Sequence, residues 1–156
     1  LDVKFPGDYI YALGEIRKMN PKKNFKLYQA LQKAIENNLV ASAISISRGG
    51  LAYAFCRIAM AGGLGINVKI PVADLFSESS GRIVVSVNPS KAAKFERAMA
   101  GNSFTQVGKV TREKKIVIKD ALRPASPAGR QAQGVNIVNI PISKLIRAYR
   151  RTFKDY

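Results

Sequence analysis

Residues 39–71, "LVASAISISRGGLAYAFCRIAMAGGLGINVKIP", constrain this chain more than any other stretch. Small and apolar residues alternate from Leu39 to Ser47, the period of a buried strand. Gly49-Gly50 interrupt it. Leu51, Phe55, Ile58 and Ala59 then recur at helical spacing until Gly62-Gly63 stop the helix, and "GINVKIP" returns to extended chain. A strand that ends in Gly-Gly and turns into a helix presents free backbone N–H groups, which together with the helix dipole favour an anion. The plainer alternative is a tight turn feeding a buried helix.

The remaining segments read in the same way. "DYIYALGE" (Asp8 to Glu15) is a first strand, and "MNPKKN" breaks it. Phe25, Tyr28, Leu31 and Ile35 mark the apolar face of a helix over about residues 22–38. "GRIVVSV" is a strong strand. "NPSKAAKFERAMAG" has an Asn cap, a Pro at the first helical position and a closing Gly101. "FTQVGKVTREKKIVI" reads as a hairpin turning near Arg112-Glu113. Segment 122–134 reads as a mobile polar Pro/Gly loop, and "VNIVNIPISKLIRAYRRTF" gives a last strand and a basic helix. Strands and helices mix without regular βαβ alternation, so the class is α+β: a mixed or antiparallel sheet packed by helices on one side.

The 156 residues suit one domain with a real core, and 47% hydrophobic residues argue against disorder. No apolar run is long enough to cross a bilayer. The N-terminus "LDVKFPGDYI" does not read as a signal peptide, and its lack of Met suggests a fragment of a longer chain. One cysteine, Cys56, fits a reducing compartment, so a cytoplasmic location is expected. Lys and Arg number 26 against 10 Asp and Glu, a net charge of +16 that attracts anions. The absence of histidine removes the commonest general base and metal ligand, so neither a catalytic residue nor a metal site is assigned.

Three stretches could carry chemistry. The first is the turn Ser47, Arg48, Gly49 and Gly50, where glycine lets a phosphate approach the backbone and Ser47 and Arg48 add donors. The second is "DLFSESSGR", in which Ser77, Glu78, Ser79 and Arg82 could line a polar pocket for a sugar or phosphate; a hydrogen-bonded loop is the plainer reading. In the third, "SKLIRAYRRTFKDY", Leu145, Ile146 and Tyr149 form an inner face and Lys144, Arg147, Arg150, Arg151 and Lys154 an outer one. That is a solvated helix face or, with its interleaved aromatics, a nucleic-acid footprint. No zinc-finger spacing or RRM-type strand motif accompanies it.

In order, "PGDYIYALGE", "LVASAISISRGGLAYAFCRIAMAGGLG", "LFSESSGRIVVSVNPSKAAKFE" and "IPISKLIRAY" resemble the C-terminal domain of the AIR-synthase-related superfamily. Within it the nearest likeness is to phosphoribosylformylglycinamidine synthases, the ATP-dependent amidine-forming ligases of purine synthesis. The resemblance implies an α+β domain beside an N-terminal AIR-synthase-related domain, the two together clamping ATP, magnesium and a ribose-phosphate substrate. It implies no cofactor and no activity for this chain alone, and a glutamine amidotransferase domain or subunit as the source of ammonia. In such enzymes a formyl-amide oxygen is phosphorylated and ammonia displaces the phosphate. The residues carried over are Gly49, Gly50, Ser77, Glu78 and Ser79.

The chain also departs from that pattern. The family's His-Asp-x-Ser-Asp-Gly-Gly is here Ile44, Ser45, Ile46, Ser47, Arg48, Gly49, Gly50. His and both Asp are gone, and Arg48 inverts the charge at the turn, which suits a phosphate better than magnesium. A degenerate half that binds a nucleotide without turning it over is one version of this reading. A basic polyanion- or nucleic-acid-binding module on the same fold is the alternative; under the ligase reading, nucleic acid is not an expected partner and any binding of it is weak and nonspecific.

Overall fold

The computed structural model describes residues 2–15, 20–121 and 136–151. The loop expected at 122–134, and Lys154, lie outside them. In chain order the elements are β1 (Tyr9–Leu13), α1 (Pro21–Glu36), β2 (Ser42–Ser45), α2 (Gly50–Gly62), β3 (Gly65–Ile70), α3 (Val72–Leu75) and β4 (Ile83–Val87). A 3-10 turn (Pro89–Lys91) then leads into α4 (Ala92–Ala98), followed by β5 (Phe104–Thr111), β6 (Lys115–Asp120), β7 (Asn136–Pro141) and α5 (Ile142–Arg151). Capping chemistry sets several bounds. The Asn20 side chain accepts from the Lys23 N–H at 3.1 Å ahead of Pro21, and the Asn88 side chain accepts from the Ser90 N–H at 3.0 Å.

The seven strands form one sheet in the order β2-β4-β1-β5-β3-β6-β7. Every neighbouring pair is antiparallel except β3 and β6, which run parallel. This is the α+β class and the mixed sheet that the sequence suggested. The expectation of helices on one side is corrected, because strand alternation splits the apolar residues into two cores. Ile10, Ile66, Val68, Val84, Ile116 and Ile118 pack with α2 and with Ile142 of α5. Tyr11, Leu13, Val85 and Val87 point the other way, onto Leu27, Leu31 and Ala34 of α1 and Phe95 of α4. Tyr11, Phe95 and Phe104 form a ring cluster there, with the first two centroids 5.0 Å apart.

Two further expectations are corrected. The helix α1 is present, but its buried residues are Leu27, Leu31 and Ala34, while Phe25 is 62% exposed and Tyr28 and Ile35 are also exposed. Both stripes obey the helical period. The sheet takes the one with the smaller Ala34, and Tyr28 turns its hydroxyl toward Gly81. The segment 104–118 does not form a hairpin either. The chain reverses at residues 112–114, yet β3 lies between β5 and β6 and pairs with both. Gly65 makes this possible: a Cβ there would meet the Glu113 and Lys115 carbonyl oxygens and the Thr111 hydroxyl, so the turn straddles the start of β3.

Candidate functional site

The two sequence blocks that opened the functional question meet in space. β2 ends beneath the turn, with the Ile46 N–H donating to the Arg82 carbonyl at 2.9 Å. The chain then reverses through Gly49 (φ 82°) and Gly50 (φ 62°), both left-handed, where glycine is favoured. Gly50 also lies against the backbone of the serine loop: a Cβ there would sit 2.7 Å from the Phe76 carbonyl carbon and 2.8 Å from the Leu75 oxygen. The glycine pair therefore serves a close approach between two backbone segments as well as a turn.

The Gly49 N–H donates to a Glu78 carboxylate oxygen at 2.8 Å. The anion that this turn holds is thus one of the chain's own carboxylates, carried on the serine loop. In that loop the Ser77 and Ser79 hydroxyls lie 3.0 Å apart, and Arg82 donates through Nη1 to the Ser77 carbonyl at 3.5 Å. Gly49, Gly50, Ser77, Glu78, Ser79 and Arg82 therefore form one connected group. Ser47 and Arg48 share the turn through backbone, the Ser47 carbonyl accepting from the Gly50 N–H, and their side chains are exposed.

Beside this junction a cleft of about 510 Å³ opens at one end of the strands. Its walls come from Ala12 of β1 and Gly14 just after it, Leu51 at the start of α2, Ile70 at the end of β3 with Pro71, and Ser103, Thr105 and Val107 of β5 and its approach. Its polar wall is Arg82, Asp74, Lys69 and Glu15. Arg82 is 2% exposed, and its Nε has no hydrogen-bond partner among the described residues. Burial lowers its pKa, and the Asp74 charge opposes that shift. A buried guanidinium in a cleft wall is suited to a carboxylate or phosphate. Sequence reasoning passed over Asp74, Lys69 and Glu15 as site residues. Asp74 alone had a local signal, standing at the head of "DLFSESSGR".

The departures from the family wording have a structural counterpart. Ile44 occupies the family's His position and is buried in the core, so that position supports packing rather than proton transfer. Burial raises the pKa of the Cys56 thiol, which disfavours a thiolate nucleophile. Among the described residues no group of three or more His, Cys, Asp or Glu could hold a metal. Glu15 is engaged with Lys23 at 2.6 Å. On the cleft wall the cations Arg82 and Lys69 stand with the carboxylates Asp74 and Glu15.

The family model for the AIR synthase related protein, C-terminal domain, matches residues 7–121. The chain belongs to this family. PurL, the phosphoribosylformylglycinamidine synthase subunit of Lactobacillus acidophilus, is 42% identical over an alignment 135 residues long that covers 72% of this chain and 18% of that protein. The chain spans about a fifth of the length of the curated relatives it matches. Among solved structures, Thermotoga maritima PurL complexed with FGAR superposes at a TM-score of 0.76 with 18% identity, covering 92% of this chain and 28% of that one. T. maritima PurL complexed with ATP gives 0.75 at 20% identity, covering 92% and 26%. These likenesses establish the α+β fold with its mixed sheet. Among the described residues no helix is long and apolar enough to cross a membrane.

Proposed function

We propose that this chain is the C-terminal domain of a PurL-type amidine-forming ligase of purine biosynthesis and supplies one wall of its substrate cleft. The carrying observation is the junction of the Gly49-Gly50 turn with the serine loop at the mouth of a cleft walled by buried Arg82. The first turn of α2 borders the cleft through Leu51, and the Arg82 guanidinium in its wall is the cation that meets a phosphate or carboxylate of the substrate. Glu78 holds the Gly49 N–H and so keeps the two loops in register. Arg48, exposed on the turn, steers anions toward the opening. ATP and magnesium belong to the cleft completed by an N-terminal AIR-synthase-related domain of the same protein. A glutamine amidotransferase domain or subunit delivers ammonia, and the compartment is the cytoplasm. ATP supplies the phosphoryl group that turns the amide oxygen into a leaving group.

The test uses the full-length protein carrying this domain, with ATP, magnesium, glutamine and formylglycinamide ribonucleotide. Amidine formation is expected, and Arg82→Met is expected to raise KM for the ribonucleotide at least about tenfold, the scale of one charged hydrogen bond to a ligand. The 156-residue chain by itself is expected to release no phosphate. Turnover by that chain alone, or an unchanged KM in Arg82→Met, refutes the assignment of the cleft.

A further inference from the structure

The basic helix α5 takes no part in the cleft. It buries Ile142 and sets Leu145 and Ile146 against the core beside α2, leaving Lys144, Arg147, Arg150 and Arg151 exposed. On α2, Arg57 lies over the Tyr53 ring, its guanidinium carbon 5.8 Å from the centroid. Arg57, Tyr149 and Arg150 line a depression of about 290 Å³ between the two helices. Arg147, Arg150 and Arg151 line a second, of about 600 Å³. Neither helix carries an Asp or Glu, and no ion pair involves these arginines among the described residues.

We infer that the α2–α5 face binds the backbone of single-stranded nucleic acid without sequence preference. Four observations select this occupant. Arginine predominates on the face, and its planar fork matches phosphate oxygens. Tyr53 and Tyr149, 40% and 51% exposed, stand among the arginines as surfaces on which bases stack. A lipid surface would need the apolar side of α5, which is already packed on the core. An acidic polypeptide would pair with the arginines but carries no flat bases to stack on the exposed ring surface. The +16 net charge adds long-range attraction, so binding rests on counterion release. This activity is separate from the cleft and independent of its chemistry.

The experiment is fluorescence anisotropy of labelled oligo(dT) and oligo(U) with the full chain, at about 50 and about 150 mM salt. Both oligonucleotides are expected to bind comparably and to weaken steeply with salt. R150E/R151E is expected to lower affinity at least about tenfold and to reduce the log–log salt slope by about 0.7 for each phosphate that is no longer neutralised. Y149A is expected to weaken binding about fivefold or more with the slope unchanged, because stacking releases no counterions. The Y149A readout also stands if R150E/R151E fails to give a folded circular-dichroism spectrum. An equal loss from reversing exposed Lys22 and Lys26 on α1 overturns the proposal by making the effect one of net charge. Displacement of the oligonucleotide by polyglutamate at equal charge concentration also overturns it, in favour of an acidic protein.

Discussion

Gly50 and Gly63 have the same backbone torsion, φ 62°, and opposite surroundings, which makes them a matched pair. An alanine at either position costs about 1–2 kcal/mol for the left-handed conformation. At Gly63 nothing lies within 4 Å of the new Cβ, so that is the main cost. At Gly50 the Cβ would fall 2.7 Å from the Phe76 carbonyl carbon and 2.9 Å from its Cα. These are backbone atoms and cannot swing aside, so overpacking adds about 1–3 kcal/mol. The gain from restricting the unfolded chain is common to both variants and cancels in the comparison. Gly50→Ala is therefore expected to be less stable than Gly63→Ala by about 1–3 kcal/mol, or about 2–12 °C in Tm for a chain of this length. Differential scanning calorimetry of both variants beside the parent protein measures the gap. Equal Tm values would refute the claim that the second glycine is required by the approach of the serine loop.

Asp8 is 1% exposed with neither carboxylate oxygen partnered among the described residues, and burial raises its pKa above 3.8. The folded protein then holds this proton more tightly than the unfolded chain, so the group's destabilisation sets in as pH rises past 3.8 and is complete above the folded value. Asp8→Asn is expected to melt higher than the parent at about pH 7, with the gap closing below about pH 4; a pH-independent gap contradicts this. The buried Tyr11 hydroxyl donates to Glu96 at 2.8 Å, and Tyr11→Phe is expected to cost about 1 kcal/mol in urea unfolding with the ring cluster retained. Arg48→Asp is expected to weaken phosphate or nucleotide binding to the full-length protein by about 0.3–1 kcal/mol, since the side chain is exposed. Unchanged affinity in a titration would reduce Arg48 to a solvated residue.

Local rules made most elements legible, because Gly, Pro and Asn punctuate this sequence where the backbone needs them. The limits of α2 follow from Gly49-Gly50 and Gly62-Gly63, and the turn before α4 follows from Asn88 and Pro89. Rules of period could not choose between two stripes on α1 that share Leu31, since both Phe25-Tyr28-Leu31-Ile35 and Leu27-Leu31-Ala34 satisfy the spacing and only the facing sheet decides. Nor could a turn signal near Arg112 reveal that β3, some 40 residues earlier, would be threaded through it. At the site, the meeting of the glycine turn with the serine loop was readable as two co-occurring blocks. The part played by Glu78 was not, because a carboxylate across 29 residues leaves no local mark of the N–H it will accept from. Glu15 lies far from Lys69 and Asp74 in the sequence and joins them only in the folded cleft.

The position of β3 has a consequence for how the chain reaches this state. Because β5 and β6 never pair with each other, the short turn between them cannot act as an early hairpin nucleus. The centre of the sheet closes only when β3 enters between two strands that lie more than 30 residues downstream of it. β1 must likewise bring Tyr9 to Val87 of β4 across about half of the chain. Non-local pairing of this kind slows folding and leaves strand edges open while the chain searches. On the ribosome, β1 to β4 emerge before the strands that will cover β3, so a nascent chain displays an uncovered apolar strand edge until synthesis passes about Asp120.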